Sequence, residues 1–199
     1  MRNKIILLLT LMSGVLFSQS VFALTQQQLM QQLQKAETVQ GDFTQTRFLQ
    51  ALPVPIKSTG TFAFALQKGL LWQMQKPFAT TLRVTPTGIA QWANNQWQAS
   101  QNPTQNQQIA LFLGLLSGDM SALEKEFKIT LSGQANHWQL NLVPDTLLLK
   151  QIFTQITLKG DKAVRQIVLQ EKQGDKTQID FTQLKVNQPL PLTIKKAFQ

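Results

Sequence analysis

The 199 residues carry a formal net charge of +9, one histidine and no cysteine. Such a chain has no disulfide and no thiolate metal site, and its length suits one domain with a sizeable core. Charged residues make up only 15% of it, so Gln, Asn and Thr must cover much of the surface.

Residues 1–23 have the layout of a secretory signal peptide. Arg2 and Lys4 precede an apolar run from Ile5 to Phe17, and Val21-Phe22-Ala23 is a small-residue exit. The run falls short of the roughly 20 apolar residues needed to cross a bilayer. Residues 1–23 are therefore expected to be removed, leaving one domain over 24–199 in the bacterial periplasm. Export argues against nucleic acid as a partner. The basic excess reads instead as attraction to an anionic membrane face or an acidic partner.

Thr25 to Val39 is expected to form a helix. Thr25 can cap it, Leu29, Leu33, Ala36 and Val39 make an apolar stripe, and Gly41 ends it. Strand patterns follow. Phe43 to Leu52 begins with alternation and stops at Pro53. Phe62, Phe64 and Leu66 share one face of the next strand, and Leu70, Trp72 and Met74 share one face of the strand after the Lys68-Gly69 turn. Leu82 and Val84 continue to Pro86. Thr87-Gly88 turns into a strand with Ile89 and Trp92, and Asn94-Asn95 turns again before Trp97.

Gln105 to Ser117 breaks this pattern. Ile109, Leu111, Phe112, Leu113, Leu115 and Leu116 fit a helix that stops at Gly118. A short second helix is expected over Ser121 to Phe127. Strands resume at Lys128–Leu131, His137–Val143, Leu149–Lys159, Val164–Glu171 and Thr177–Val186, and the chain closes with Pro189 to Phe198. Short strands and frequent turns predict an antiparallel sheet or barrel with helices on one face.

Catalytic constellations are scarce. His137 stands alone beside a turn, and Glu124 and Glu126 read as a solvated helix face. No nucleophile is gathered with a base and an orienting group. No metal cluster or phosphate loop is legible, so neither enzyme chemistry nor a cofactor is expected. What stands out is the apolar face of Phe62, Phe64, Leu70, Trp72 and Met74, with a greasy helix to lie against it. Periodicity leaves two readings of that face open: an ordinary core, or a cavity for an apolar ligand.

The order of landmarks resembles the LolA/LolB-type periplasmic lipoprotein carriers. Phe43-Thr44-Gln45 resembles the family's opening F-x-Q strand, and Gly60-Thr61-Phe62-Ala63-Phe64 its G-x-L/F-x-L/V strand. Gly69-Leu70-Leu71-Trp72 with Pro77, Gly88 to Trp92, Leu140 to Pro144, and Gly160 with Gly174-Asp175 follow in the family's order. The resemblance implies an α+β fold: an incomplete antiparallel β-barrel whose N-terminal helix and central helical lid cover a concave apolar face.

It further implies a cavity for acyl chains lined by Phe43, Phe62, Phe64, Leu70, Trp72, Met74, Leu82, Trp92 and Leu140. Ile109, Phe112, Leu113 and Leu116 would form the lid, with Leu29 and Leu33 on the N-terminal helix. The implied function is carriage of lipoproteins, or of another acylated lipid, from an inner-membrane releasing transporter to an outer-membrane acceptor. A monomer in transient contact with membrane surfaces is expected. The Arg by which family members latch the lid stands here as Leu66, and the Arg of a later Arg-Trp pair as Leu71. A polyene or glycolipid cargo is therefore an alternative, as is a lipoprotein-sensing module.

Overall fold

The computed structural model describes residues 24–100, 113, 114, 116 and 119–198, with the backbone alone at 121 and 122. The signal segment lies outside the described residues. So does the central helix, except for Leu113, Gly114 and Leu116.

Among the described residues, eleven strands form one antiparallel sheet. They are β1 (Thr38–Phe48), β2 (Ile56–Ala65), β3 (Gly69–Lys76), β4 (Thr80–Thr85), β5 (Gly88–Ala93), β6 (Gln96–Ala99), β7 (Phe127–Gln134), β8 (His137–Pro144), β9 (Phe153–Gly160), β10 (Val164–Glu171) and β11 (Lys176–Val186). Their spatial order is β6-β5-β4-β3-β2-β1-β11-β10-β9-β8-β7. Every neighbouring pair but β1–β11 is also consecutive in the chain, so turns of a few residues or one short helix suffice. The sheet stays open, with β6 and β7 at its edges, and is consistent with an incomplete barrel.

The described residues add α1 (Gln26–Gln34), α2 (Met120–Glu126), α3 (Leu147–Ile152) and α4 (Leu192–Ala197). At α1, Thr25 accepts from the Gln28 N–H and the Gln28 side chain accepts from the Thr25 N–H, a closed capping box. The helix ends sooner than its apolar stripe predicts. Val39 belongs to β1, where Thr38 and Val39 pair with Ala65 and Phe64 of β2. Ladder bonds to neighbours on both sides outweigh another half-turn of helix for this β-branched pair.

One further expectation changes. Leu147 to Ile152 is helical, so the strand expected from Leu149 starts only at Phe153. Leu149 packs inward from that helix. The closing segment holds a helix, α4, which packs on the outer face.

Register fixes which side chains share a face. Leu70 pairs with Val84 and Val84 with Ile89, while Leu71 pairs with Arg83 and Arg83 with Ala90. Leu70 and Val84 of the first set join the main core with Phe43, Phe62, Phe64, Leu140, Leu142, Ile156, Leu158, Ile167, Ile179 and Phe181. Leu29, Leu33 and Ala36 from α1 and the turn after it complete that core, so the sheet curls around α1. The second set lies on the outer face. There Ala63, Ala65, Leu71 and Leu190 form a small separate cluster under α4, joined by Trp97, Ile194, Ala197 and Phe198. Arg83 pins this segment: its guanidinium donates to Ala197 O at 3.1 Å and lies 4.6 Å from the Trp97 ring centre.

Candidate functional site

Four aromatic rings stand together on the inner face. Phe43 and Trp72 stack with centroids 3.6 Å apart and planes 23° from parallel. Phe43 lies opposite Gly60, whose missing side chain leaves the inner face bare between the two ring-bearing strands. Phe62 and Phe181 meet at 4.7 Å, and Trp72 stands edge-on to Phe181 at 6.2 Å. Alternation along β1, β2, β3 and β11 therefore places one ring on each of four adjacent strands.

Leu70 and Leu140 are buried on this same face, and Phe64 with them. Met74 and Leu82 are half-buried; Leu82 shares the face because it pairs with Trp72. Trp92 does not. It sits three residues beyond Ile89 and so points outward, pairs with Trp97 across the β5–β6 hairpin at 5.1 Å, and is 45% exposed. The sequence expectation for Trp92 fails because an odd offset along a strand reverses the face. Ile109 and Phe112 lie outside the described residues. Leu113 and Leu116 are half-buried and pack on the main core.

Leu29 and Leu33 fill the hollow that the sheet encloses. Both are buried, Leu29 completely. Among the described residues, a cavity of about 10 Å³ lies beside them, bordered by Leu33, Ala36, Val39, Phe62, Phe64, Leu116, Ala163, Val164 and Phe181. Space of that size holds about one water molecule and no acyl chain. Larger hollows lie elsewhere and are open and mixed in polarity. One of 590 Å³ adjoins the β2–β3 turn and the chain after β11, and one of 470 Å³ lies between α4, Trp92 and Trp97.

The polar ties of α1 were not legible in the sequence. Gln32 Nε2 donates to Ala135 O at 2.9 Å and to Asp161 O, in the β7–β8 and β9–β10 turns. Asp161 O also accepts from the Trp138 ring N–H at 2.6 Å. A Cβ on Gly160 would come within 2.4 Å of the Trp138 ring, so glycine there keeps the indole in place. At the C-cap, less than a turn beyond Gln32, Asn187 donates to Lys35 O at 2.8 Å. No pattern in the sequence distinguishes Gln32 from the glutamines around it, because its partners are backbone carbonyls more than a hundred residues away.

The Asp161 carboxylate holds its own turn. Burial would push its pKa up, but the bonds from Arg165 (2.9–3.1 Å) and from the Ala163 N–H, with the nearby guanidinium charge, hold it below the usual carboxylate value. A lowered folded-state pKa stabilises the fold above the unfolded value, and that contribution is lost as pH falls through the folded one. Urea midpoints should therefore separate wild type from Asp161→Asn at about pH 6 and draw together as pH falls below the usual carboxylate range. The pair is partly solvated, so the separation should be small.

Comparison with known proteins decides the family. The family described as outer membrane lipoprotein carrier protein LolA-like matches residues 18–184. The chain belongs to this family. No curated protein sequence matches it. Among solved structures, a LolA superfamily protein from Nitrosomonas europaea shares the fold at 11% identity, with TM-score 0.50 over 89% of this chain and 98% of that one. A chain of the Pseudomonas aeruginosa MucA/MucB complex matches at 14% identity with TM-score 0.53. That match covers 87% of this LolA-like chain and 60% of the other. At such identities the structural matches establish the LolA-like fold alone. No helix among the described residues is long and apolar enough to cross a membrane.

Proposed function

We propose that this LolA-like chain is a periplasmic carrier that takes the acyl chains of a lipoprotein, or of a related lipid, against the four aromatic rings and moves them from inner to outer membrane. One observation carries the reading: the inner face is apolar from β4 to β8, yet α1, Leu113 and Leu116 already pack on it. In this reading α1 and the central segment, with Ile109, Phe112, Leu113 and Leu116, are the cover. Phe43, Phe62, Phe64, Leu70, Trp72, Met74, Leu82 and Leu140 are the wall.

A cover that fills its own cavity explains how the empty carrier stays folded in water. Displacing it exposes apolar area at a cost of about 25 cal/mol per Å², and an acyl chain that takes its place restores a similar area. Binding is then an exchange, and the difference between the closed and loaded states stays within a few kcal/mol. That is what uptake and release by one protein require. Gln32 takes the role of a latch where Leu66 and Leu71 stand in place of the family's arginines.

The test is direct. Protein purified from its own periplasm should carry acyl lipid by native mass spectrometry, and the empty protein should take up a fluorescent fatty acid. A chain with neither property is not a carrier. Gln32→Ala should weaken the cover by about 1 kcal/mol, the worth of its lost bonds. Probe affinity should rise about fivefold. Unchanged affinity would remove Gln32 from the latch.

A second reading, a lipoprotein-sensing module, draws support from the shared fold with a chain of the MucA/MucB complex. Capture of a partner protein, without any transfer of lipid between vesicles, would favour it.

A further inference from the structure

We propose that one end of the sheet is a docking edge for an anionic phospholipid bilayer. Strand direction alternates, so each connection falls at one of two ends. The β1–β2 loop (49–55), the β3–β4 turn (77–79), the β5–β6 turn (94–95), α3 and the β10–β11 turn (172–175) fall at the first end. The β2–β3, β4–β5, β7–β8 and β9–β10 turns fall at the second.

Exposed apolar side chains divide unequally between the two. Of the large ones exposed among the described residues, all but Leu192 belong to the first end, Trp92 included because it sits beside the β5–β6 turn. Val54 is 70% exposed, Phe78 78% and Leu147 82%, all on connections. None lies on the four turns of the second end. Leaving such groups in water is costly, and their gathering at one end marks a surface that leaves water during function.

Charge narrows the partner. No Asp or Glu occurs between Asp42 and Asp119, a stretch that holds Arg47, Lys57, Lys68, Lys76 and Arg83. Lys57 follows Ile56, and Lys76 precedes Pro77-Phe78, so both ammonium groups flank the apolar tips of the first end. Single apolar side chains projecting from separate loops, with lysines beside them, match the headgroup zone of a bilayer. There the apolar groups reach past the phosphates and the ammonium groups meet them. A protein interface would need a continuous packed core instead.

The purpose of the edge rests on the carrier reading, though its observations do not. Gln32 ties α1 to turns of the second end. The docking edge is thus at the end of the sheet away from that tie, where cargo can pass between bilayer and inner face.

The experiment is flotation of the mature chain with vesicles of equal parts phosphatidylglycerol and phosphatidylcholine, set against phosphatidylcholine alone. Binding should favour the anionic vesicles and fall as salt rises. Val54→Asp combined with Phe78→Asp should lose about tenfold or more in affinity. Lys57→Gln and Lys76→Gln should lose about fivefold each. Thr87→Asp, at the second end, should lose nothing.

Failure of the wild-type chain to float with anionic vesicles overturns the proposal, as does an equal loss in Thr87→Asp. Fatty acid uptake in vesicle-free solution, measured on the same variants, separates the two readings. Uptake without flotation removes the docking edge alone. Flotation without uptake removes the carrier alone.

Discussion

Leu33→Ala is expected to weaken the fold and strengthen cargo binding at once. Leu33 is buried between α1 and the sheet and borders the small cavity beside Phe62, Phe64 and Phe181. Truncating a buried leucine to alanine costs about 2–5 kcal/mol, depending on how far the site collapses. Alanine favours the helix itself, so the loss falls on docking of α1 rather than on its formation. In the carrier reading the loaded protein has already given up that docking. The variant therefore destabilises the closed state and leaves the loaded state nearly untouched. A bias of about 2.8 kcal/mol corresponds to about a hundredfold gain in probe affinity. Urea denaturation and titration with a fluorescent fatty acid read the two effects on one preparation. A stability loss with unchanged or weaker uptake would make α1 an ordinary core helix.

Trp72→Ala is expected to lower stability too, while moving affinity the other way. Trp72 is half-buried, stacks on Phe43 and stands edge-on to Phe181. Aromatic contacts of this kind contribute about 0.5–1.5 kcal/mol beyond area burial, and the indole's own buried area adds to that. In the carrier reading the ring belongs to the wall, which both the closed and the loaded states use. Removing it should cost about 2 kcal/mol of stability and weaken probe binding about tenfold or more. The opposite signs at Leu33 and Trp72 separate cover from wall more sharply than either variant alone. Gains in affinity at both positions would mean that the acyl chain does not lie against the four rings.

The sequence by itself determined most of the strands and the faces of the central ones. Alternation places Phe62, Phe64, Leu70, Trp72 and Met74 together, because successive side chains on a strand point to opposite faces whatever the tertiary context. Capping was legible at Thr25 for the same local reason. Reading failed where the outcome was not local. Val39 fits a helical stripe yet pairs in β1, because neighbouring strands on both sides supply its hydrogen bonds. Leu147 to Ile152 has no periodicity long enough to separate helix from strand. The family resemblance puts Trp92 on the inner face, and only its register relative to Ile89 shows that it faces outward.

Tertiary structure alone decided what lies against what. The four rings come from strands adjacent in space but as far apart in the chain as Phe43 and Phe181. Gln32 became a tie only when folding brought the carbonyls of Ala135 and Asp161 beside it. Composition places apolar residues inside, but contacts between distant segments choose whether a helix, an acyl chain or another strand fills the space they enclose.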